Sequence, residues 1–430
     1  VRCSGPDARA VAARVFRARE PLRDRVATYG EIVDALGGVI DRGLALAMDA
    51  PRTVTGEDVV ELHVHGSPVV ARETLRALLH AGARAAGPGE FTRRAFVNGK
   101  LDLSAAEAVA DVIEAESRAA ARAAQANLAG GLRAAVESAR AELSAVLEEL
   151  AGAIDYPDEV PEPPRERVRA VADRVDARLG ALVHDCERWR LVREGLSLAI
   201  VGPPNAGKSS LLNALLGEER AIVSEIPGTT RDVIEEAFAI GGVPVRVLDT
   251  AGLRASDDTV ERIGIDRARR ALGAVAVALV VVDGSRPLDA DARAVLAQTR
   301  GRDRVVLFNK RDLGAAAYDA RDPEERDALC GSVFAAETLD EVRTAIARAG
   351  WHGERVDLDR PHLSSARQAD AVARGREALL QARETLDAGE PVDLVAPALL
   401  AASAALAEIT GAAATEAVLD GVFARFCIGK

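Results

Sequence analysis

The apolar positions of the chain change period along its length, and the changes mark domains. Over residues 1–98, short alternating runs such as Val59-Val60-Glu61-Leu62-His63-Val64 accompany a helical stretch, Val69–His80, the pattern of a small α+β domain. From Ser104 the spacing becomes that of Ala-rich helix, opened by Ser104-Ala-Ala-Glu107, which predicts a capping box. Leu128, Leu132, Val136, Leu143, Leu147 and Leu150 form one apolar stripe, broken at Gly130-Gly131 and ended by the proline-rich Tyr156–Pro164. A helix over Arg165–Arg193 then leads into the apolar run Leu196–Val201. Further runs at Val245–Leu248, Val277–Val282 and Val305–Phe308 alternate with helical stretches, as in a doubly wound α/β domain closing near Gly350. Ser364–Ala388 and Val395–Glu408 return to the Ala-rich style.

The expectation is therefore multidomain: an N-terminal α+β domain over 1–98, an all-α helical domain split between 99–194 and 351–430, and an inserted Ras-like α/β P-loop domain over 195–350. A length of 430 residues fits about three domains of ordinary size. No solenoid repeat is present.

The net charge of −12, with no basic stripe interleaved with aromatics, argues against autonomous nucleic-acid binding, so such a partner is expected to come with help. The longest apolar stretch, near Ala271–Val282, falls short of a membrane span, and the first residues are too charged for a signal peptide, so no membrane partner and a cytoplasmic location are expected. Cys3, Cys186, Cys330 and Cys427 are widely spaced and read as reduced thiols. Cys427 stands fourth from the end, but Gly429 and Lys430 fit a prenylation box badly. His63 and His65 are expected to share a strand face without a third metal ligand, which favours packing or surface roles. Only four lysines occur, Lys100, Lys208, Lys310 and Lys430, in a chain that otherwise uses Arg, so each marks a place where a compact ammonium is wanted.

The strongest chemical signal is Gly202-Pro-Pro-Asn205-Ala206-Gly207-Lys208-Ser209, directly after a strand and before the helical Ser210–Leu216. Its backbone amides cradle phosphates, Lys208 reaches the β- and γ-phosphates, and Ser209 ligates magnesium. Asp249-Thr250-Ala251-Gly252 ends a hairpin strand, placed to hold magnesium's water and sense the γ-phosphate. Asn309-Lys310-Arg311-Asp312 ends a later strand, where the Asp312 carboxylate accepts from guanine N1–H and its 2-amino group and so selects GTP over ATP. Pro227-Gly-Thr229-Thr230-Arg231-Asp232 reads as a switch loop, with Thr230 as a second magnesium ligand. Leu253 cannot orient the attacking water, which leaves Asp257, Asp258 and Glu261 as candidates. Spacing assigns no arginine finger.

These motifs, with Thr55-Gly-Glu-Asp58, Pro88-Gly-Glu-Phe91-Thr, Asn98-Gly-Lys100-Leu-Asp102, Asn205-Ala-Gly-Lys-Ser-Ser210, Gly228-Thr-Thr-Arg-Asp232, Asp249-Thr-Ala-Gly-Leu253-Arg and Phe426-Cys-Ile-Gly-Lys430, resemble the MnmE (TrmE) family of tRNA uridine-modifying GTPases over nearly the whole chain. The resemblance implies a homodimer that joins an MnmG-type FAD protein in a heterotetramer. Together they would install an aminomethyl-type group at C5 of the wobble uridine from a tetrahydrofolate one-carbon unit (5-formyl- or methylene-), with tRNA held mainly by the partner.

It further implies that Asn205, Ser224, Ile226 and Thr229 hold a potassium ion, that Glu261 orients water, and that Lys208, Arg231 and Glu261 are the catalytic set. Ser210, Thr250, Ala251 and Gly252 join the nucleotide contacts, and Ser332-Val333-Phe334 takes the guanine-loop position. Arg2, Glu61, Lys100 and Lys430 are implied to form a 5-formyltetrahydrofolate site, which gives all four lysines a ligand-facing role.

Two departures from the family pattern carry expectations. The sequence opens at Val1-Arg2-Cys-Ser-Gly5, without the glycine-rich segment the family has before it, which predicts weaker folate binding and a weaker N-terminal dimer contact. The guanine loop reads Ser332-Val-Phe-Ala-Ala-Glu where the family has Ser-Ala and a Gly-rich turn, which predicts an altered nucleotide affinity. The competing class is a GTP-switch binding protein of the ribosome-assembly type, whose signature would be a basic RNA-binding appendage.

Overall fold

A computed structural model describes residues 1–115, 117–218, 236–248, 275–314, 325–351, 360–424 and 426. The chain divides into two compact units. One comprises Val1–Ala110, Asn127–Leu179 and Ser365–Lys430, the other Asp111–Ala126 and Gly180–Ser364.

In the first unit, β1 (Arg2–Ser4), β2 (Phe16–Arg17), β3 (Ala27–Val33), β4 (Val39–Met48) and β5 (Val59–His63) form an antiparallel sheet in the order β1-β5-β4-β3-β2. The alternation of β5 sends Val60 and Leu62 into a core with Ile32, Ala45 and Ala47. Helices α1 (Ala8–Val15) and α2 (Pro68–His80) add Ala12, Val15 and Leu78 to that core, and Glu61 is left on the other face of the sheet. His65 lies beyond the end of β5, so the two histidines do not share a strand face. His65 Nδ1 lies 2.9 Å from Asp41 Oδ1, and His63 Nε2 lies 3.3 Å from Glu61 Oε2.

The helical part of the unit is built from α3 (Glu90–Val97), α4 (Leu103–Glu114), α5 (Arg118–Leu128), α6 (Gly131–Asp155) and α7 (Arg165–Glu194), of which α4 and α7 also run into the second unit and α5 lies mostly in it. The buried stripe of α6 is Leu132, Val136, Ala139, Leu143, Val146 and Leu150, so Val146 takes the place expected of Leu147. Its spacing of alternately four and three residues keeps one face inward.

The capping box expected at Ser104 and Glu107 does not form. The helix begins at Leu103, and Asp102 Oδ1 caps it by accepting from the N–H groups of Ser104 (2.9 Å) and Ala105 (3.1 Å). Glu107 instead accepts from Arg367 Nη2 at 2.7 Å and Gln368 Nε2 at 2.6 Å. Arg367 Nη1 donates in turn to the Glu408 carbonyl at 2.6 Å. A side chain 260 residues away has replaced a local partner.

Val392–Thr410 is, among the described residues, the one helical stretch long and apolar enough to cross a membrane by length and composition, and it exceeds the Ala271–Val282 run that the sequence reading took as longest. Its helix, Ala396–Thr410, packs against α6 and Ala366–Asp387 and buries Leu399, Ala402, Leu406 and Ile409, as a core helix does.

In the second unit, β6 (Leu196–Val201), β7 (Glu236–Ile240), β8 (Val243–Val247), β9 (Val277–Asp283), β10 (Arg304–Asn309) and β11 (Leu329–Cys330) form a sheet ordered β11-β10-β9-β6-β8-β7. All pairings are parallel except the β7–β8 hairpin. Strand β9 is buried at every position, the continuous apolar run of a strand covered on both faces. The strand order reverses at β6, which places a crevice at its carboxyl end. Ala119, Ala120 and Ala123 of α5 pack with Trp189, Val192 and Val243 in this unit. The fold is thus an N-terminal α+β domain, a discontinuous all-α domain and an inserted Ras-like P-loop domain. Among the described residues, Cys3, Cys186 and Cys330 are in no disulfide.

Candidate functional site

The loop after β6 is shaped by what its backbone must approach. A Cβ at Gly202 would lie 2.1 Å from the Val281 carbonyl oxygen, and one at Gly207, where φ is +100°, would lie 2.3 Å from Asn309 Nδ2. Asn205 adopts a left-handed φ of 59°, an uncommon state for a residue with a side chain. The loop feeds α8 (Lys208–Glu218), whose N-terminus carries Lys208, Ser209 and Ser210. Lys208 Nζ donates to the carbonyls of Gly202 (2.9 Å) and Pro203 (2.8 Å), and burial lowers its pKa. A desolvated ammonium beside a helix N-terminus suits a polyphosphate, which restores the solvation it has lost.

The segment that ends β10 is joined to this loop by Asn309, buried at 1 % exposure. Asn309 Nδ2 donates to the Ala206 carbonyl at 2.9 Å, and its Oδ1 accepts from the Val333 N–H at 3.0 Å. Gly331 carbonyl accepts from Arg311 N–H at 3.1 Å, so the two loops that follow β10 and β11 are tied twice. Asp312 is exposed, Ser332 is partly buried, Val333 is buried and Phe334 is exposed.

Asp283, at the end of β9, accepts from Lys310 Nζ at 2.9 Å and from Ser285 Oγ at 2.6 Å. Burial pushes its carboxyl pKa up, but the hydrogen bonds from Ser285 and Lys310 outweigh that and hold it below the usual value. Asp283 escaped the sequence reading because nothing local marks it. The only signal was an acidic residue ending an otherwise apolar strand.

Ser224, Ile226, Thr229, Thr230, Arg231, Asp249, Thr250, Ala251, Gly252, Asp257, Asp258, Glu261 and Lys430 lie outside the described residues.

In the first unit, Arg2 and Glu61 face each other across the β1–β5 ladder and pair at 2.7 Å. The guanidinium carbon of Arg2 sits 5.7 Å from the centre of the Phe91 ring. Lys100 Nζ donates to the Pro51 carbonyl at 2.8 Å, and Lys100 also borders a cavity of about 480 Å³ lined by Asp102, Leu128, Arg133 and Glu137. Phe426 packs close to the turn before Phe91: a Cβ at Gly89 would lie 3.0 Å from Phe426 Cβ.

The comparisons with known proteins cover both units. A family model described as the GTP-binding protein TrmE N-terminus matches residues 1–100, and one described as the MnmE helical domain matches residues 103–427. The tRNA modification GTPase MnmE of Symbiobacterium thermophilum is 45% identical over 443 residues, covering 100% of this chain and 96% of that protein. That of Chloroflexus aurantiacus is 42% identical over 436 residues, with 100% and 96% covered. The chain belongs to the MnmE family.

The chain is a tRNA modification GTPase. A solved structure of Era from Aquifex aeolicus aligns with 26% identity over 43% of this chain and 67% of that one, at a TM-score of 0.29.

Proposed function

We propose that this MnmE-family chain couples GTP hydrolysis to modification of C5 of the wobble uridine in tRNA. It acts with an MnmG-type FAD protein and uses a tetrahydrofolate one-carbon unit. The observation that carries the reading is the Arg2–Glu61 pair beside Phe91, with Phe426 packed against Gly89 in the turn that precedes Phe91. Arg2, Lys100 and Lys430 supply positive charge for an anionic folate, and Glu61 accepts from pterin nitrogens. The folate supplies the one-carbon unit when bound, and the flavin belongs to the partner. The chain's acidic balance agrees with tRNA being held mainly by that partner, in a cytoplasmic heterotetramer built on a homodimer.

In the GTP site we assign Ser209, exposed at the start of α8, and Thr230 to magnesium. Asn205, Ser224, Ile226 and Thr229 are assigned to potassium, a cation that supplies the charge an arginine finger gives elsewhere. Asn205 fits that role because its left-handed backbone sets an exposed amide beside the phosphate loop. Glu261 orients water, while Lys208 and Arg231 offset developing charge. Asp312 reads guanine, Asp249 through Gly252 sense the γ-phosphate, and Ser332 through Phe334 border the base.

Nucleoside analysis of tRNA from cells lacking and then regaining the protein tests the reading. Wobble uridines should lose their C5 group and recover it. Unchanged wobble uridines would remove the modification role and leave a GTP-switch binding protein.

A further inference from the structure

The hairpin of β7 and β8 stands between the two stretches read as nucleotide switches, Pro227–Asp232 before it and Asp249–Gly252 after it. Its ladder runs unbroken from Glu236 opposite Val247 to Ile240 opposite Val243 and closes on Gly241 (φ 58°) and Gly242 (φ 87°). Such a two-residue turn makes the hairpin a stiff piece, so its turn moves when its open end moves. Val243 and Pro244 lie beyond the ladder that β8 makes with β6, which starts at Val245. The turn end is covered by α5 instead. Ala119, Ala120 and Ala123 pack with Val243, Trp189 and Val192, and a Cβ at Gly242 would lie 3.0 Å from Ala119 Cβ. With a glycine on one side and a methyl on the other, no flexible side chain stands between turn and helix to absorb a displacement, and close-packed groups transmit it. In the chain α5 follows α4, which begins in the first unit, and precedes α6, which lies wholly in it.

We propose that α5 reads the nucleotide state: the hairpin shifts when its two flanking stretches close on or release the γ-phosphate, and α5, packed on the hairpin turn, carries the shift along the chain to α4 and α6. This rests on the reading of those stretches as switches and adds the route by which GTP hydrolysis regulates modification. The chain carries its own reporter. Its two tryptophans are Trp189 and Trp351, and both border this packing. Trp189 is 4 % exposed and stacks on His362 with ring centres 4.1 Å apart, while Trp351 is partly buried against the same cluster.

The experiment uses the full chain, with Trp351→Phe so that Trp189 alone emits, and compares GDP with a non-hydrolysable GTP analogue. Trp189 emission should differ between the two states, and amide exchange over residues 118–128 should differ by about fivefold or more. Emission and exchange that are the same in both states would overturn the proposal. Gly242→Ala and Ala119→Leu, each of which wedges the turn from α5, should erase the difference. They should also lower C5-modified wobble uridine in cells by about fivefold or more, with GTP hydrolysis near the wild-type rate. Hydrolysis lost in step with modification would show that the contact only supports the GTP site and would overturn the route, as would wild-type modification in both variants. Adding Ala119→Gly to Gly242→Ala vacates space for the new methyl and should restore both readouts, which general misfolding would not allow. No restoration would reject the contact as the cause. Thr230→Ala and Asp249→Ala test the underlying reading separately: if both hydrolyse GTP as wild type does, the switch assignment fails, whatever α5 does.

Discussion

The amide of Asn309 reaches the Ala206 carbonyl at 2.9 Å, so the end of β10 is pinned to the glycine-rich loop after β6 by one buried side chain. Asn309→Ala leaves the Ala206 carbonyl and the Val333 N–H without this partner, at about 1–3 kcal/mol for each orphaned group. The expected outcome is a lower unfolding temperature together with at least a tenfold loss of GDP affinity, read by thermal melts and calorimetric titration. Normal GDP affinity in a destabilised variant would show that the crosslink serves the fold alone.

Potassium should accelerate GTP hydrolysis and sodium should not, because ionic radius sets the fit to Asn205 and the switch carbonyls. Glu261→Ala should lower kcat with little change in nucleotide affinity, since orienting water acts mainly in the transition state. Steady-state rates in the two salts check the first point, and equal rates would remove the cation site. Loss of affinity with intact kcat would move Glu261 to binding.

Removing Cys427–Lys430 should weaken 5-formyltetrahydrofolate binding while GTP hydrolysis persists, because Phe426, which precedes these residues, packs against Gly89 in the turn before Phe91, and Phe91 lies under the Arg2 guanidinium. A parallel titration and hydrolysis assay separates the cases. Unchanged folate affinity would reject the tail's role, and loss of both activities would indicate misfolding.

Glu90 accepts from Arg84, from Arg94 Nη2 at 2.7 Å and from the Gly87 N–H at 2.9 Å. The Arg84 hydrogen bond is the largest influence; burial opposes it, and the bonds from Gly87 and Arg94 reinforce it, so its pKa falls to about 2 from 4.5. A carboxyl depressed in the fold contributes stability that is fully present above its unfolded pKa and is lost as pH falls from there through about 2. The N-terminal part of the chain should lose on the order of 1–3 kcal/mol from this group across that window. Glu90→Gln should flatten that segment of a urea-midpoint versus pH curve; an unchanged slope would rule the group out.

Where the signal was local, the sequence disclosed it. The Leu196–Val201 run followed by Gly202–Ser209 announced a strand entering a phosphate loop, and the structure has β6 over that span. Where one residue's role depended on another far along the chain, it stayed hidden. Glu107 carried the spacing of a cap, but Asp102 supplies that bond locally and frees Glu107 for Arg367. Asn309 could be read as part of a guanine motif, yet its hold on Ala206, 103 residues away, could not. Leu147 and Val146 are both apolar, and only packing decides which faces inward. Thr230, Asp249 and Glu261 are legible by motif and lie outside the described residues.

The small cluster of Leu103, Ala106, Leu419, Phe423 and Phe426 joins the chain's first quarter to its last dozen residues. A ribosome delivers residues 180–364 as one stretch, so the second unit has all six of its described strands early. The other unit, assembled from three separate segments, waits until residues 419–426 have been made before Leu103 and Ala106 are covered. During elongation that face is bare, and this is where a nascent-chain chaperone has something to hold.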